Sequence, residues 1–261
     1  MIKLAANLSM MFNEVPFLER FSAAGACGFK GVEFLFPYEH PPRDLAEALD
    51  DAKLTQALFN LPPGDWASGE RGMAAIPGRE REFAESIDVA IEYAAALRCQ
   101  RVHVMAGLLP ADASIEDCER VYESNLRLAA SRLAQRRLEG VIEPINHRDI
   151  PNYFLNTTRQ AIAVIERVGA PNLKLQLDLY HAQITEGDLV HHVRDLAGRY
   201  THVQIAGNPD RNEPDVGEVN YLYVLEQLDA SGYAGWVGCE YRPKNGTREG
   251  LGWARPYGIT V

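Results

Sequence analysis

The amino-acid sequence predicts an α/β protein that folds as a single (β/α)₈ TIM barrel. Short apolar runs alternate with longer amphipathic stretches along the whole chain, a pattern typical of repeated strand-helix units around a parallel sheet. Eight such units occur in 261 residues, and closed barrels of this kind typically contain about 250 residues. No linker or change in composition divides the chain, so we expect one domain over residues 1–261. An open doubly wound sheet is the alternative fold.

The apolar runs are short enough to be barrel strands, and we expect them at residues 3–7, 31–35, 55–60, 101–105, 140–144, 174–177, 201–205 and 236–240. Helices are expected at residues 14–26, 78–97, 114–137, 158–168 and 221–231. The second of these shows the helical period, because Phe83, Ile87 and Ala94 share one side and Glu85 and Asp88 lie elsewhere. Thr157 or Thr158 is a candidate N-cap for the helix at 158–168.

Two connections are longer than usual, at residues 61–77 and 206–218. Long loops in compact domains are usually functional or disordered. Both follow predicted strands, so both lie on the carboxyl-terminal face, where barrel enzymes keep their active sites. The tail from 243 to 261 has little pattern, and we expect it to wrap the barrel or to contact a second copy in a homo-oligomer.

The charge balance argues against nucleic acid and membrane surfaces as partners. The chain has 26 basic and 36 acidic side chains, a net charge of −10, which repels phosphate backbones and anionic lipid. No apolar run approaches the roughly 20 residues of a membrane helix. The four cysteines form no CxxC pair, which favours reduced thiols, and the N-terminal residues lack a secretory pattern. We therefore expect a cytoplasmic protein with a small-molecule partner.

Four polar residues lie at or just after the ends of four successive predicted strands: Glu143, Asp178, Gln204 and Glu240. Their spacings of 35, 26 and 36 residues each correspond to about one unit, so a barrel brings them to one rim. Three carboxylates there repel one another unless a cation neutralises them or protons bind. Carboxylates with an amide oxygen favour Mg²⁺ or Mn²⁺. The alternative is that these residues cap helices or pair with arginines.

Several segments together resemble the hydroxypyruvate isomerase family of the xylose-isomerase-like barrel superfamily. They are ANLSMMFNEVPFLERF, GVEFLFPY, NLPPGDWASGERG, IPGRE, VIEPIN, DLYHAQ, HVQIAGNPDRNEPDVGEVNY and GWVGCEY. The resemblance implies isomerisation of hydroxypyruvate and tartronate semialdehyde. It also implies that Glu143, Asp178, Gln204 and Glu240 bind the metal, with Glu143 and Glu240 as the catalytic acid/base pair. Related ketose 3-epimerases usually have His at the position of Gln204, and that difference favours the isomerase branch.

Isomerisation of this kind requires these residue types on chemical grounds as well. A proton leaves the carbon next to a carbonyl, an enediolate forms, and a proton returns to the adjacent carbon. A metal that binds both oxygens stabilises the developing charge, and two carboxylates can move the protons. The same chemistry acts on 2-oxo-tetronate or a ketose, which are the alternative substrates.

Three further residues are candidates for substrate binding. His181 lies three residues after Asp178 and can reach the same rim, and the resemblance places a substrate-contacting His there. Arg211 matches an Arg that contacts substrate in related epimerases, and Arg71 lies in the other long loop. Either guanidinium can bind the carboxylate of a 2-oxo acid in a fork. For each of the three, the alternative is an ordinary structural or surface side chain.

Two functions of other classes remain as alternatives. Endonucleases of the endonuclease IV type share this barrel, but they need a His-rich zinc cluster and a basic surface. A barrel that binds a ligand without catalysis is the second, and failure to bind metal would be its signature.

Overall fold

Eight parallel strands close into a barrel in the computed structural model, which describes residues 2–260. Each strand pairs with its neighbour in chain order and β8 pairs with β1, so the predicted barrel is confirmed and the open sheet was the wrong alternative. The strands are β1 (Lys3–Asn7), β2 (Gly31–Glu33), β3 (Thr55–Asn60), β4 (Arg101–His103), β5 (Glu139–Ile142), β6 (Leu173–Asp178), β7 (Tyr200–Ile205) and β8 (Trp236–Cys239).

Eight α-helices and one 3₁₀-helix surround the barrel within the described residues. They are α1 (Glu19–Ala26), α2 (Pro42–Asp51), α3 (Glu80–Leu97), α4 (Ile115–Ala134), α5 (Thr158–Val168), α6 (Leu179–Thr185), α7 (Leu189–Asp195), α8 (Tyr221–Ala230) and the 3₁₀-helix Glu249–Tyr257. Helix α1 begins five residues later than expected, because Pro16 disfavours helical backbone at the residue before it. Thr157 caps α5 by accepting the N–H of Gln160. In the part of the chain that the structure describes, no helix is long and apolar enough to cross a membrane.

The barrel strands alternate between apolar and polar side chains. In β6, Leu175 and Leu177 are buried and alternate with Gln176 and Asp178. The amide of Gln176 donates to Gln204 of β7 at 2.6 Å, which places these polar side chains in the barrel lumen. The alternation therefore gives the sheet an apolar outer face beneath the helices and a polar lumen below the rim.

The C-terminal segment packs against the loop that follows β1. The hydroxyl of Thr247 accepts the backbone N–H of Phe12 at 2.7 Å, and the backbone N–H of Thr247 donates to Glu14 at 2.6 Å. The tail thus wraps the barrel on the side where β1 and β8 meet. This was one of the two expectations for the tail, and the other was a contact with a second copy of the chain.

Candidate active site

A cavity of about 580 Å³ opens at the carboxyl-terminal end of the barrel. Its lining includes two of the predicted carboxylates and all three predicted substrate-binding residues, namely Glu143, Glu240, His181, Arg211 and Arg71. The other two predicted residues, Asp178 and Gln204, are not among the lining residues of this cavity, and they are 3% and 2% exposed.

The strand ends explain where the three carboxylates lie. Glu143 and Glu240 are the first residues after β5 and β8, and Asp178 is the last residue of β6. The Oδ1 of Asp178 also caps α6, because it accepts the N–H groups of Tyr180 and His181 at 2.7 and 3.2 Å. Its Oδ2 remains directed at the site, 3.7 Å from the Nε2 of His181. The side chain of Asp178 can therefore cap α6 with one oxygen and belong to the site with the other.

Burial makes all three carboxyl groups reluctant to ionise. It raises the pKa of Asp178 to about 6, although the charge of Arg211 opposes the rise. Burial likewise raises the pKa of Glu240 to about 8, again against Arg211. The pKa of Glu143 lies well above its usual range because of burial and then the charges of Glu240 and Asp178. Perturbed carboxyl groups around one cavity are typical of catalytic sites.

Arg211 provides the positive charge closest to these groups. Its guanidinium donates to Glu240 Oε1 at 3.0 Å and to Asp149 Oδ2 at 3.1 Å, and its Nε donates to the Glu240 carbonyl at 3.3 Å. Its carbon lies 4.9 Å from the ring centroid of Tyr180. Burial alone would lower the pKa of Arg211, but the charges of Glu240, Asp178 and Asp149 raise it. The guanidinium is thus permanently charged and already paired.

His181 is held in one tautomer by its neighbours. The side-chain oxygen of Asn146 accepts the N–H of Asp149 at 2.8 Å, so the Asn146 amide nitrogen is the group that faces His181 Nδ1 at 2.6 Å. Nδ1 must then accept, which leaves the proton on Nε2. Burial, with the charge of Arg211, holds the pKa of His181 well below its usual range. A neutral imidazole therefore presents an N–H donor 3.8 Å from Glu143 Oε1.

Gln204 lies in a different set of hydrogen bonds from the carboxylates. Its Nε2 donates to Glu33 at 2.8 Å and its Oε1 accepts from Gln176 at 2.6 Å. Its Cα pairs with that of Asp178 across β6 and β7. The structure thus places Gln204 beside the predicted metal site and fixes both ends of its amide.

Two arginines lie at the mouth of the cavity. Arg71 stacks on Trp66, with 3.8 Å between its guanidinium carbon and the ring centroid, and donates to the Trp66 and Glu70 carbonyls. Arg242 also lines the cavity, and its guanidinium forms no hydrogen bond or ion pair with any residue among 2–260. Sequence reasoning missed Arg242, although its position two residues after Glu240 at a strand end was the signal that could have found it.

The residues present fit a divalent cation. Glu143 and Asp178 each offer a carboxylate oxygen, and these two oxygens lie within 4.8 Å of each other and of a ring nitrogen of His181. The buried Oε1 of Glu143 has no hydrogen-bond partner among the described residues. Because the buried carboxylates outnumber the one buried guanidinium, a cation would neutralise the excess negative charge.

Comparison with known proteins places the chain in a family. It matches the xylose isomerase-like TIM barrel family over residues 21–257. It is 56% identical over 258 residues to the 2-oxo-tetronate isomerase of Cupriavidus necator, covering 98% of this chain and 99% of that protein. It is 48% identical over 257 residues to the hydroxypyruvate isomerase of Escherichia coli K12, covering 98% and 100%. The crystal structure of AP endonuclease, family 2, from Brucella melitensis superposes with a TM-score of 0.97 at 51% identity, covering 98% and 99%. The chain therefore belongs to the xylose isomerase-like TIM barrel family.

Proposed function

We propose that this protein is an intramolecular oxidoreductase that interconverts hydroxypyruvate and tartronate semialdehyde (2-hydroxy-3-oxopropanoate). The observation that carries the proposal is the convergence of three buried carboxyl groups with raised pKa values at one cavity. The chain is also 48% identical to a hydroxypyruvate isomerase over nearly its full length. The proposed ligands of a divalent cation are Glu143, Asp178, Gln204 and Glu240, and this all-oxygen set favours Mg²⁺ or Mn²⁺.

The proposed reaction moves a carbonyl group between adjacent carbons. One carboxylate removes a proton from C3 of hydroxypyruvate, and the electron pair of that C–H bond forms the double bond of an enediolate. A carboxyl group then returns a proton to C2, and the proton of the C3 hydroxyl passes to the oxygen on C2, which leaves an aldehyde at C3 and a hydroxyl at C2. We assign these transfers to Glu143 and Glu240, because both line the cavity whereas Asp178 does not. A raised pKa allows each group to hold a proton near neutral pH, as a general acid/base must.

Two kinds of partner stabilise the negative charge that develops on the substrate oxygens. A divalent cation, when bound, supplies positive charge that stabilises the enediolate. His181 donates its Nε2–H to a substrate oxygen, because its other nitrogen is occupied by Asn146. This tautomer has no lone pair on Nε2, so we assign His181 to the substrate rather than to the cation.

The substrate carboxylate needs a cation that is not already neutralised. Arg211 has five N–H donors, of which three are used for Glu240 and Asp149. The other two can contact a substrate oxygen close to the reacting carbons, but the charge of Arg211 is compensated. Arg71 and Arg242 have no carboxylate partner among residues 2–260. We assign the substrate carboxylate to these two guanidinium groups at the cavity mouth.

2-Oxo-tetronate is the second candidate substrate, and two observations favour it. The chain is 56% identical to a 2-oxo-tetronate isomerase, against 48% for the hydroxypyruvate isomerase. The cavity of about 580 Å³ is also large for a three-carbon acid. The same carboxyl groups would move the carbonyl of the longer acid from C2 to C3.

Proton NMR in D₂O tests the proposal directly. The protein, supplied with Mg²⁺ or Mn²⁺, is mixed in separate tubes with hydroxypyruvate, 2-oxo-tetronate and a ketose, with and without EDTA. We expect conversion of hydroxypyruvate that stops in EDTA, with deuterium incorporated at the carbon that receives the returning proton. Faster conversion of 2-oxo-tetronate would keep the mechanism and replace the substrate. Failure to convert any of the three compounds would overturn the proposal, as would cleavage of DNA at abasic sites as the main activity.

A further inference from the structure

A layer of buried polar side chains fills the barrel lumen below the three carboxyl groups. Glu33, Gln176, His202 and Gln204 are each 2% exposed or less. Barrel interiors are more commonly filled by Val, Ile and Leu, and burying polar groups destabilises a protein unless they are hydrogen-bonded. A polar layer at this position therefore indicates that these side chains have a role other than packing the barrel interior.

Glu33 is the centre of this layer. Its Oε1 accepts from Gln204 Nε2 at 2.8 Å and from Asn7 Nδ2 at 2.9 Å, and its Oε2 lies 2.6 Å from His202 Nε2. Glu33 ends β2 whereas Gln204 belongs to β7, and both β8 and β1 lie between them in the sheet. The Glu33 side chain therefore reaches across the lumen to make these contacts.

Gly238 of β8 provides the space for that reach. A Cβ atom at Gly238 would overlap both carboxylate oxygens of Glu33. The backbone of Gly238 is not in the left-handed region, so the requirement for glycine is spatial. Gly238 also pairs with Gln204 across β7 and β8, which locates the gap next to the amide that Glu33 contacts.

The contact with Glu33 fixes which way the Gln204 amide points. Because Glu33 Oε1 also accepts from Asn7, a reversed amide would set the Gln204 oxygen against an acceptor. The Gln204 nitrogen must therefore face Glu33, and its oxygen must face β6, where it accepts from Gln176. An amide oxygen can accept twice, so one lone pair remains on the oxygen of Gln204, whose Cα pairs with that of Asp178 across β6 and β7.

We propose that Glu33 is a positioning residue that orients the carbonyl oxygen of Gln204 as a metal ligand. This inference rests on the proposed function, in which Gln204 is one of the four ligands. Glu33 itself touches neither the cation nor the substrate. Partners that orient metal ligands in this way typically change metal affinity by about 10- to 100-fold when they are mutated.

Binding of Mn²⁺ to protein that has been stripped with EDTA tests this assignment by calorimetry, without any measurement of turnover. We expect Glu33→Gln to weaken Mn²⁺ binding by about 10- to 100-fold. The matched control is Glu213→Gln, because Glu213 is also a buried carboxylate and accepts the backbone N–H of Lys244, and we expect unchanged affinity. In a Gln204→Ala background, the Glu33 substitution should have no further effect, because Glu33 acts through Gln204.

Wild-type affinity in a folded Glu33→Gln protein would overturn the inference, as would additive losses in the double mutant. If Glu33→Gln does not fold, Glu33→Asp replaces it, since Asp retains the charge but withdraws the carboxylate from Gln204. Weaker Mn²⁺ binding in the Asp variant supports the inference, and unchanged binding overturns it. Absence of Mn²⁺ binding by the wild-type protein would overturn the proposed metal site itself, and with it this inference.

Discussion

Arg211→Gln is the substitution that tests most directly how the buried charges of the site are balanced. Arg211 is 9% exposed and donates to Glu240 and Asp149 at 3.0 and 3.1 Å. Above pH 8, where Glu240 with its pKa of about 8 is ionised, removing one partner from this buried ion pair costs about 3–5 kcal/mol, because the other charge remains buried. An unfolding entropy of about 2 cal/mol/K per residue makes 1 kcal/mol equivalent to about 2 °C in a chain of 261 residues. We therefore expect a melting temperature about 5–10 °C lower in EDTA.

A divalent cation should reverse part of this loss. Arg211 lies 3.9 Å from Asp178 as well as 3.0 Å from Glu240, so in the wild-type protein it repels an incoming cation and competes for its ligands. Without Arg211, a bound cation replaces the compensating charge that Arg211 supplied, and binding to the folded state stabilises the protein more as affinity and concentration increase. We expect Mn²⁺ to raise the melting temperature more in Arg211→Gln than in the wild-type protein.

Differential scanning calorimetry in EDTA and in Mn²⁺ measures both effects. The matched control is Arg120→Gln, whose side chain is 71% exposed and pairs with an exposed Asp117. Exposed pairs of this kind contribute at most about 1 kcal/mol, so this variant should melt close to the wild-type protein. An Arg211 variant that melts like the wild-type protein in EDTA would refute the charge balance described for the site. Equal stabilisation of both proteins by Mn²⁺ would refute the competition between arginine and cation.

Three other outcomes are expected. Glu143→Gln and Glu240→Gln should each lower kcat by about 100-fold or more with an unchanged circular dichroism spectrum. A rate near wild type for either variant would contradict the proton transfer proposed for that residue. Arg242→Gln should raise KM for hydroxypyruvate by about tenfold, because one hydrogen bond to a charged group is lost. The rate for dihydroxyacetone, which lacks a carboxylate, should not change. Equal effects on both compounds would contradict the proposal that Arg242 binds the substrate carboxylate. Mn²⁺ affinity, measured by calorimetry, should increase from pH 6 to 8, because protons must leave Asp178 and Glu240, whose pKa values are about 6 and about 8. Both pKa values exceed those of carboxyl groups in the unfolded chain, so the metal-free protein should lose stability over the same rise in pH. A Mn²⁺ affinity that does not depend on pH would contradict the assignment of Asp178 and Glu240 as ligands.

The arrangement of the strands could be predicted because a (β/α)₈ barrel converts sequence spacing into position. Glu143 and Asp178 lie about one unit apart and Glu240 lies about two units further along the chain, and each follows or ends a strand. Their meeting at one rim therefore follows from the repeat alone. The same repeat predicted Gln204 at the correct height of the barrel, paired with Asp178 across β6 and β7.

Contacts that cross the lumen or join two loops could not be predicted in this way. Glu33 reaches Gln204 because Gly238 leaves room between β2 and β7, and a periodic pattern contains no information about that gap. The tautomer of His181 depends on Asn146, which lies in a loop whose conformation the sequence pattern does not define. Helix α2 (Pro42–Asp51) was missed because it is short and contains a proline, although proline is compatible with the first turn of a helix.

The joining of β1 to β8, together with the contact between Phe12 and Thr247, has a consequence for how the protein acquires activity. The latter hydrogen bond joins residues 235 positions apart, and Glu240 belongs to the last strand-helix unit. Such contacts form slowly because a very long loop must close first. During synthesis, therefore, the proposed acid/base pair stays incomplete until the last of the eight strand-helix units has left the ribosome. During refolding, catalytic turnover should therefore recover later than the circular dichroism signal of the helices.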